Sequence, residues 1–160
     1  MVDDGKPDID LTVGSEALDE ARVRREALGA AAETLEEFLA RPGSDPRWSP
    51  RVADAMQDLR AAFDGHRAEV EAADGLLTRL QQDAPRLSGK IRRIEHEHVT
   101  IALAIDDAAQ MISGCGGDCG TKAVTAIREA AVDVLRAIFL HRQKGADLVY
   151  EAYNVDIGGG

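Results

Sequence analysis

Apolar residues recur at alternating steps of three and four along four long stretches of the chain, the spacing that lines one face of an α-helix. The first stretch begins at Ser15, a good N-cap, and runs to about residue 40, where Arg41, Pro42 and Gly43 stop it. Its stripe is Leu18, Ala21, Leu28, Ala32, Leu35 and Leu39, interrupted by Arg25, which implies partial exposure there or an acidic partner. Ser49 followed by Pro50 opens a second helix, with stripe Val52, Met56, Leu59, Phe63, His66, Val70, Ala73, Leu77 and Leu80. Asp74-Gly75 predicts a bend or break near its end, since glycine costs about 1 kcal/mol relative to alanine inside a helix. After Asp83-Ala84-Pro85, a third stripe reads Ile91, Ile94, His98, Ile101, Ile105, Ala108 and Ile112. The fourth, capped by Thr121, reads Val124, Ile127, Ala131, Val134, Ile138, His141, Gly145, Leu148 and Ala152. Short connections between helices at about 15–40, 50–82, 85–113 and 121–153 predict antiparallel neighbours. The expected fold is therefore an all-α, up-down-up-down four-helix bundle over residues 15–157, preceded by a polar tail at 1–14.

Composition agrees with helix and narrows the partners. Aromatic residues are only 4% of the 160, and β-branched runs are few. A length of 160 residues is enough for one core without disulfide or metal staples. The net charge of −10 repels phosphate backbones and anionic membrane surfaces, so nucleic acid and membrane are not expected partners. The opening MVDDGKPDIDLTVGS has neither the basic nor the apolar region of a signal peptide, and no stretch has the roughly 20 apolar residues of a membrane span. A cytoplasmic location is expected.

Candidate chemistry lies in the stripes themselves. His66, His98 and His141 each occupy the inward face of a different helix, although histidine is a poor core filler and a good metal ligand. From the helix starts, their heights are about 25, 20 and 30 Å at 1.5 Å per residue, so an antiparallel bundle allows all three to meet. His96 falls on the opposite face and is expected in solvent. His66-x-x-Glu69 and Glu95-x-x-His98 place an acid one turn from an inward histidine, and the second is the Glu-x-x-His spacing of di-iron carboxylate bundles. Glu69 and Glu95 are therefore candidate ligands beside the three histidines, and iron or zinc suits imidazole. Glu33, Glu36 and Glu37 of the first helix are further acids within reach of such a core. The alternative for each histidine is structural: a neutral ring donating one hydrogen to an acid or a carbonyl and packing its face.

Over residues 50–155 the chain resembles the hemerythrin-like, or HHE cation-binding, domain, on the segments FDGHRAEVEAADGLL, IEHEHVTI and FLHRQKGADLVYEA. That family has H-x-x-x-E, H-x-x-x-H and H-x-x-x-x-D on its second, third and fourth helices, and His66, His98 and His141 match one ligand of each motif. The partner positions hold Val70, Ile94 and Ala146, while Glu69, Glu71 and Asp147 are displaced by one residue, about 100° of rotation. The first helix has no histidine. The resemblance implies a four-helix bundle; the intact family's two bridged irons and oxygen carriage are reduced here to a site for one metal ion, held by three histidines with a carboxylate or water, or to no metal at all. Metal or redox sensing is the expected role.

Other features remain secondary. Cys115 and Cys119, in a glycine-rich loop, are close enough in sequence for a reversible redox pair, although this is neither Cys-x-x-Cys nor a zinc set. No nucleophile elbow, phosphate-binding glycine loop or His-Glu-x-x-His helix is present, so no catalytic residue is assigned. The segment from Tyr150 to Ile157 and the alanine-rich first helix suggest a homodimer or a protein partner. A metal-free helical protein-protein interaction module is the competing expectation.

Overall fold

The computed structural model describes residues 11–154, with side chains of the first helix from residue 19 onward. Among the described residues the molecule is all-helical, with α1 at Leu11–Leu39, α2 at Trp48–Val70, α3 at Leu76–Asp83, α4 at Ser88–Ser113 and α5 at Thr121–Asn154. A 3-10 turn, Pro85–Leu87, joins α3 to α4. No helix among the described residues is long and apolar enough to cross a membrane.

The alternating stripes are the buried faces. On α4, Ile91, Ile94, His98, Ile101, Ile105, Ala108 and Ile112 are all buried, and on α5 only Gly145 of the expected row is half-buried. Helix α1 packs mainly on α2 and more lightly on α5, α2 also packs on α4, and α4 packs on α5. Leu28, Leu35 and Leu39 anchor α1, whereas Ala21 and Ala32 are half-buried. Arg25 is exposed, its Nε donating to the Ala21 carbonyl at 3.3 Å, and no carboxylate pairs with it among the described residues.

The largest departures from the expected boundaries are at the start of the first helix and inside the second; α2 also begins at Trp48 and α4 at Ser88, within three residues of expectation. Helix α1 starts at Leu11 rather than Ser15; residues 1–10 of the expected tail, and Val155 to Ile157, lie outside the described residues. The expected second helix, 50–82, is two helices, because α2 stops at Val70 and a turn closed by Gly75 N–H donating to the Ala72 carbonyl at 2.8 Å intervenes. Ala73, assigned to the inward stripe, is consequently exposed. Gly75 is buried there, and a Cβ at that position would collide with the carbonyls of Glu69 and Val70. This close backbone approach is the physical reason for glycine at the break.

The core falls into two parts. The larger fills the space among α1, α2, α4 and α5 and includes Leu28, Met56, Phe63, Ile101, Ile105, Ile127 and Ile138. The smaller joins the end of α2, α3, the 3-10 turn, the first turns of α4 and the end of α5 through Val70, Leu77, Leu80, Leu87, Ile94 and Leu148. Phe63 and Val70, on either side of His66, belong to different parts; so do Ile94 and Ile101 around His98, and Ile138 and Leu148 around His141. The three histidines thus form a polar layer between two apolar clusters.

Candidate metal centre

His66, His98 and His141 converge from α2, α4 and α5, each offering a ring nitrogen such that all three atoms lie within 4.8 Å of one another. Ring centroids are 5.6 Å apart for His66–His98, 5.6 Å for His66–His141 and 4.7 Å for His98–His141. His98 and His141 are 0% and 3% exposed, and His66 is half-buried. Phe63, one turn before His66, floors the cluster, its ring 6.3, 6.0 and 6.2 Å from the rings of His66, His98 and His141. A hydrocarbon floor lowers the local dielectric and strengthens any charge interaction above it.

Two carboxylates orient two of the rings. His98 Nδ1 lies 2.6 Å from Glu71 Oε1, and His141 Nδ1 lies 3.2 Å from Glu97 Oε2. Arg67 and Lys144 in turn bind these acids, Arg67 Nε at 3.1 Å from Glu71 and Lys144 Nζ on Glu97. Burial pushes both carboxyls up, but the hydrogen bonds from His98 and Arg67 to Glu71, and from Lys144 and His141 to Glu97, outweigh it and hold both below the usual carboxylate range. An ionised acceptor at Nδ1 keeps the ring proton there, which in a neutral ring leaves Nε2 with a free lone pair. His141 Nε2 sits 3.4 Å from His66 Nε2, and His98 Nε2 is buried with no hydrogen-bond partner. A carboxylate on one ring nitrogen and an open lone pair on the other is the arrangement that orients metal-ligating histidines.

Electrostatics keep two of these rings neutral. Burial pushes His66 down to about 4, helped by the neighbouring His141 and His98 and by the positive charges of Arg142 and Arg25. Burial also lowers His141, with His98 acting in the same direction, and Glu97 opposes it only in part. Neutral imidazole is the ligating form, so no proton has to be removed from either ring at neutral pH before an ion can bind.

The acids expected as ligands are elsewhere. Glu95 is exposed and lines a shallow surface groove with Leu77, Thr78, Gln81 and Gln82, because its position on α4 turns away from the buried face. Glu69 is half-buried and not part of the cluster; burial raises its carboxyl, Arg24 and Arg25 lower it, and its Oε2 is buried without a partner. Glu33, Glu36 and Glu37 are exposed on α1. The two acids that do reach the rings are Glu71, one position past Val70 and so rotated about 100° onto the flank facing α4, and Glu97, which precedes His98 and faces α5. Glu97 carried no spacing signal in the sequence, because its partner is a long-range one on another helix.

Among the described residues the donor set is one group of three histidines. Val70 and Ile94, the motif-partner positions of the expected resemblance, are buried hydrocarbon, and Ala146 is exposed. Three imidazoles converging in this way could hold a metal ion.

Cys115 and Cys119 are joined by a disulfide with Cα atoms 5.1 Å apart, in the turn between α4 and α5. Gly116 and Gly117 adopt positive φ of 62° and 94° inside that ring, a conformation that other residues rarely adopt. The disulfide packs on the larger core, away from the histidine layer. Comparison with protein-family models, with curated proteins and with solved structures returns no match to this chain.

Proposed function

We propose that this chain is a hemerythrin-like, up-down-up-down helical bundle with a reduced centre: one iron or zinc ion held by Nε2 of His66, His98 and His141. The role that follows is metal sensing or redox handling rather than oxygen carriage by two bridged irons. The observation that carries the reading is the convergence of three inward ring nitrogens with two of the rings already oriented by Glu71 and Glu97. The orphaned Nε2 of fully buried His98 supports it, because a buried polar atom without a partner costs about 1–3 kcal/mol and a bound ion would remove that cost. When bound, such an ion supplies Lewis acidity or, as iron, one-electron exchange. The chain's own residues hold His66 and His141 neutral, aim the lone pairs of His98 and His141 through Glu71 and Glu97, and wall one side of the site with Phe63.

Elemental analysis of protein produced with iron and zinc in the medium tests this. About one equivalent of metal per chain is expected, falling below about a tenth in His98→Ala. Wild-type protein with less than a tenth of an equivalent would sink the metal reading.

A second reading, a metal-free module that binds a protein partner or a second copy, is favoured by a row of exposed apolar side chains on α5. Val132, Phe139 and Tyr150 lie seven and eleven residues apart along its outer face, 45%, 58% and 69% exposed. In that reading the Glu71 and Glu97 hydrogen bonds serve only to satisfy buried histidines.

A further inference from the structure

Three guanidiniums stand beside the histidine layer, on the flank covered by α1. Arg24 and Arg25 belong to α1, and Arg142 follows His141 on α5. Two mid-helix glycines lie against them. A Cβ on Gly29 would lie 3.3 Å from Nη1 of Arg142, and one on Gly65, the residue before His66, would lie 3.4 Å from Nη1 of Arg24. Glycine inside a helix costs about 1 kcal/mol relative to alanine; at Gly29 a methyl would crowd the Arg142 guanidinium, while at Gly65 it would meet Arg24 in ordinary contact. Gly65 immediately precedes His66 and Arg142 immediately follows His141, so both contacts lie at the height of the histidine layer, and Arg25 adjoins Arg24 on α1. None of the three arginines is in an ion pair among the described residues, which is also true of arginines 51, 79, 86, 92, 93 and 128. In a molecule of net charge −10, three guanidiniums stand on the flank of the least buried of the three histidines, with Glu20 and Glu69 as the acids of the same flank.

Three neutral imidazoles leave a divalent ion with its full charge and at least one open position. Guanidinium forks match the two oxygens of a carboxylate or phosphate, and charge-assisted hydrogen bonds of this kind are about twice as strong as neutral ones. We propose that the open position of the three-histidine centre takes a small oxyanion, a carboxylate or phosphate group, admitted and held by Arg24, Arg25 and Arg142. This rests on the metal reading above. It adds the class of molecule the centre receives: an anion that binds the ion through oxygen and the arginines through its remaining oxygens. The carboxylate of Glu69, on the same flank with an unpartnered buried oxygen, is the chain's own competitor for that place.

The test uses the full chain loaded with cobalt(II), an ion with a visible spectrum that accepts the same nitrogen and oxygen ligands. Cobalt content is measured first, and acetate is then titrated while the cobalt absorption is followed. The expected result is a saturable spectral change whose midpoint rises about tenfold or more in Arg25→Met/Arg142→Met, the loss of one or two charge-assisted bonds. Arg136→Met, a surface change elsewhere on α5, is expected to leave the midpoint unaltered. All three guanidiniums belong to exposed residues, so their removal opens no core. A cobalt-loaded wild type whose spectrum ignores acetate overturns the proposal while leaving the metal reading intact. The same holds if acetate acts only after Glu69→Gln, since Glu69 would then fill the position itself. Equal midpoints in wild type and the double variant also overturn it, and failure to take up cobalt overturns both readings.

Discussion

His66 shows how one side chain's surroundings decide its chemistry. Its sequence neighbours make it an inward residue, but the proton is displaced by burial, by two other histidines and by Arg142 and Arg25, which together bring it down to about 4. The consequence for stability has a definite sign. An unfolded histidine titrates near 6.5, so between that pH and about 4 the unfolded chain binds a proton that the folded chain refuses. Stability is therefore full above pH 6.5 and falls as the pH drops toward 4, by up to about 1.4 kcal/mol per pH unit for this one proton. His141 is lowered as well and adds to the same slope. Urea melts of chelator-treated protein at pH 7.5, 6 and 5 are expected to show this loss, and a His66→Phe variant is expected to show a shallower one. Equal slopes in the two proteins would mean that His66 is not the group responsible. Glu71 and Glu97 teach the complementary lesson. Both were visible as residues, but their partners His98 and His141 lie 27 and 44 positions away, and nothing in local spacing connects them.

At the scale of the element, the break after Val70 decides how the second half of the molecule is assembled. The apolar row continues through Leu77 and Leu80 at helical spacing, which is why the sequence pattern predicts one helix over 50–82. The row survives the break because α3 packs on α2, α4 and α5, so the same residues are buried in a separate short helix. Gly75 makes the turn possible, since backbone carbonyls occupy the place of a side chain. Gly75→Ala is expected to destabilise the fold by about 2 kcal/mol or more, because backbone rather than a flexible side chain must move. It is also expected to weaken metal binding, because Glu71, which orients His98, is the residue at which α2 ends. Denaturant unfolding and metal titration of the same variant check both, and a variant as stable as wild type would show that the turn relaxes freely. The turn between α4 and α5 behaves differently. Its disulfide closes a ring too short to constrain the unfolded chain much, so it contributes less than a long-range bridge would.

For the whole molecule, the histidine layer is a gap in an otherwise apolar interior, with the larger core on one side and the smaller, built around α3, on the other. An ion at that layer would tie α2, α4 and α5 together between the two clusters. Binding to the native state alone raises stability by about 2.7 kcal/mol at a free-metal concentration one hundred times the dissociation constant. For a chain of this size the metal-replete protein should melt roughly 5–10 °C above chelator-treated protein. Identical melting curves would favour the metal-free interaction module. The helical class, the buried row on each long helix and the candidacy of the three histidines were legible in the sequence, because each follows from the 3.6-residue period of one helix. The sequence also marked the break at Asp74-Gly75 without deciding between a bend and two helices. Only the tertiary structure decided that one nitrogen of each ring meets the others within 4.8 Å, that Glu71 and Glu97 rather than Glu69 and Glu95 attend the rings, and that Arg24 and Arg142 come against Gly65 and Gly29. Those facts depend on how one helix is rotated and shifted against another, which is set by the packing of all of them together and leaves no mark in the spacing along any one.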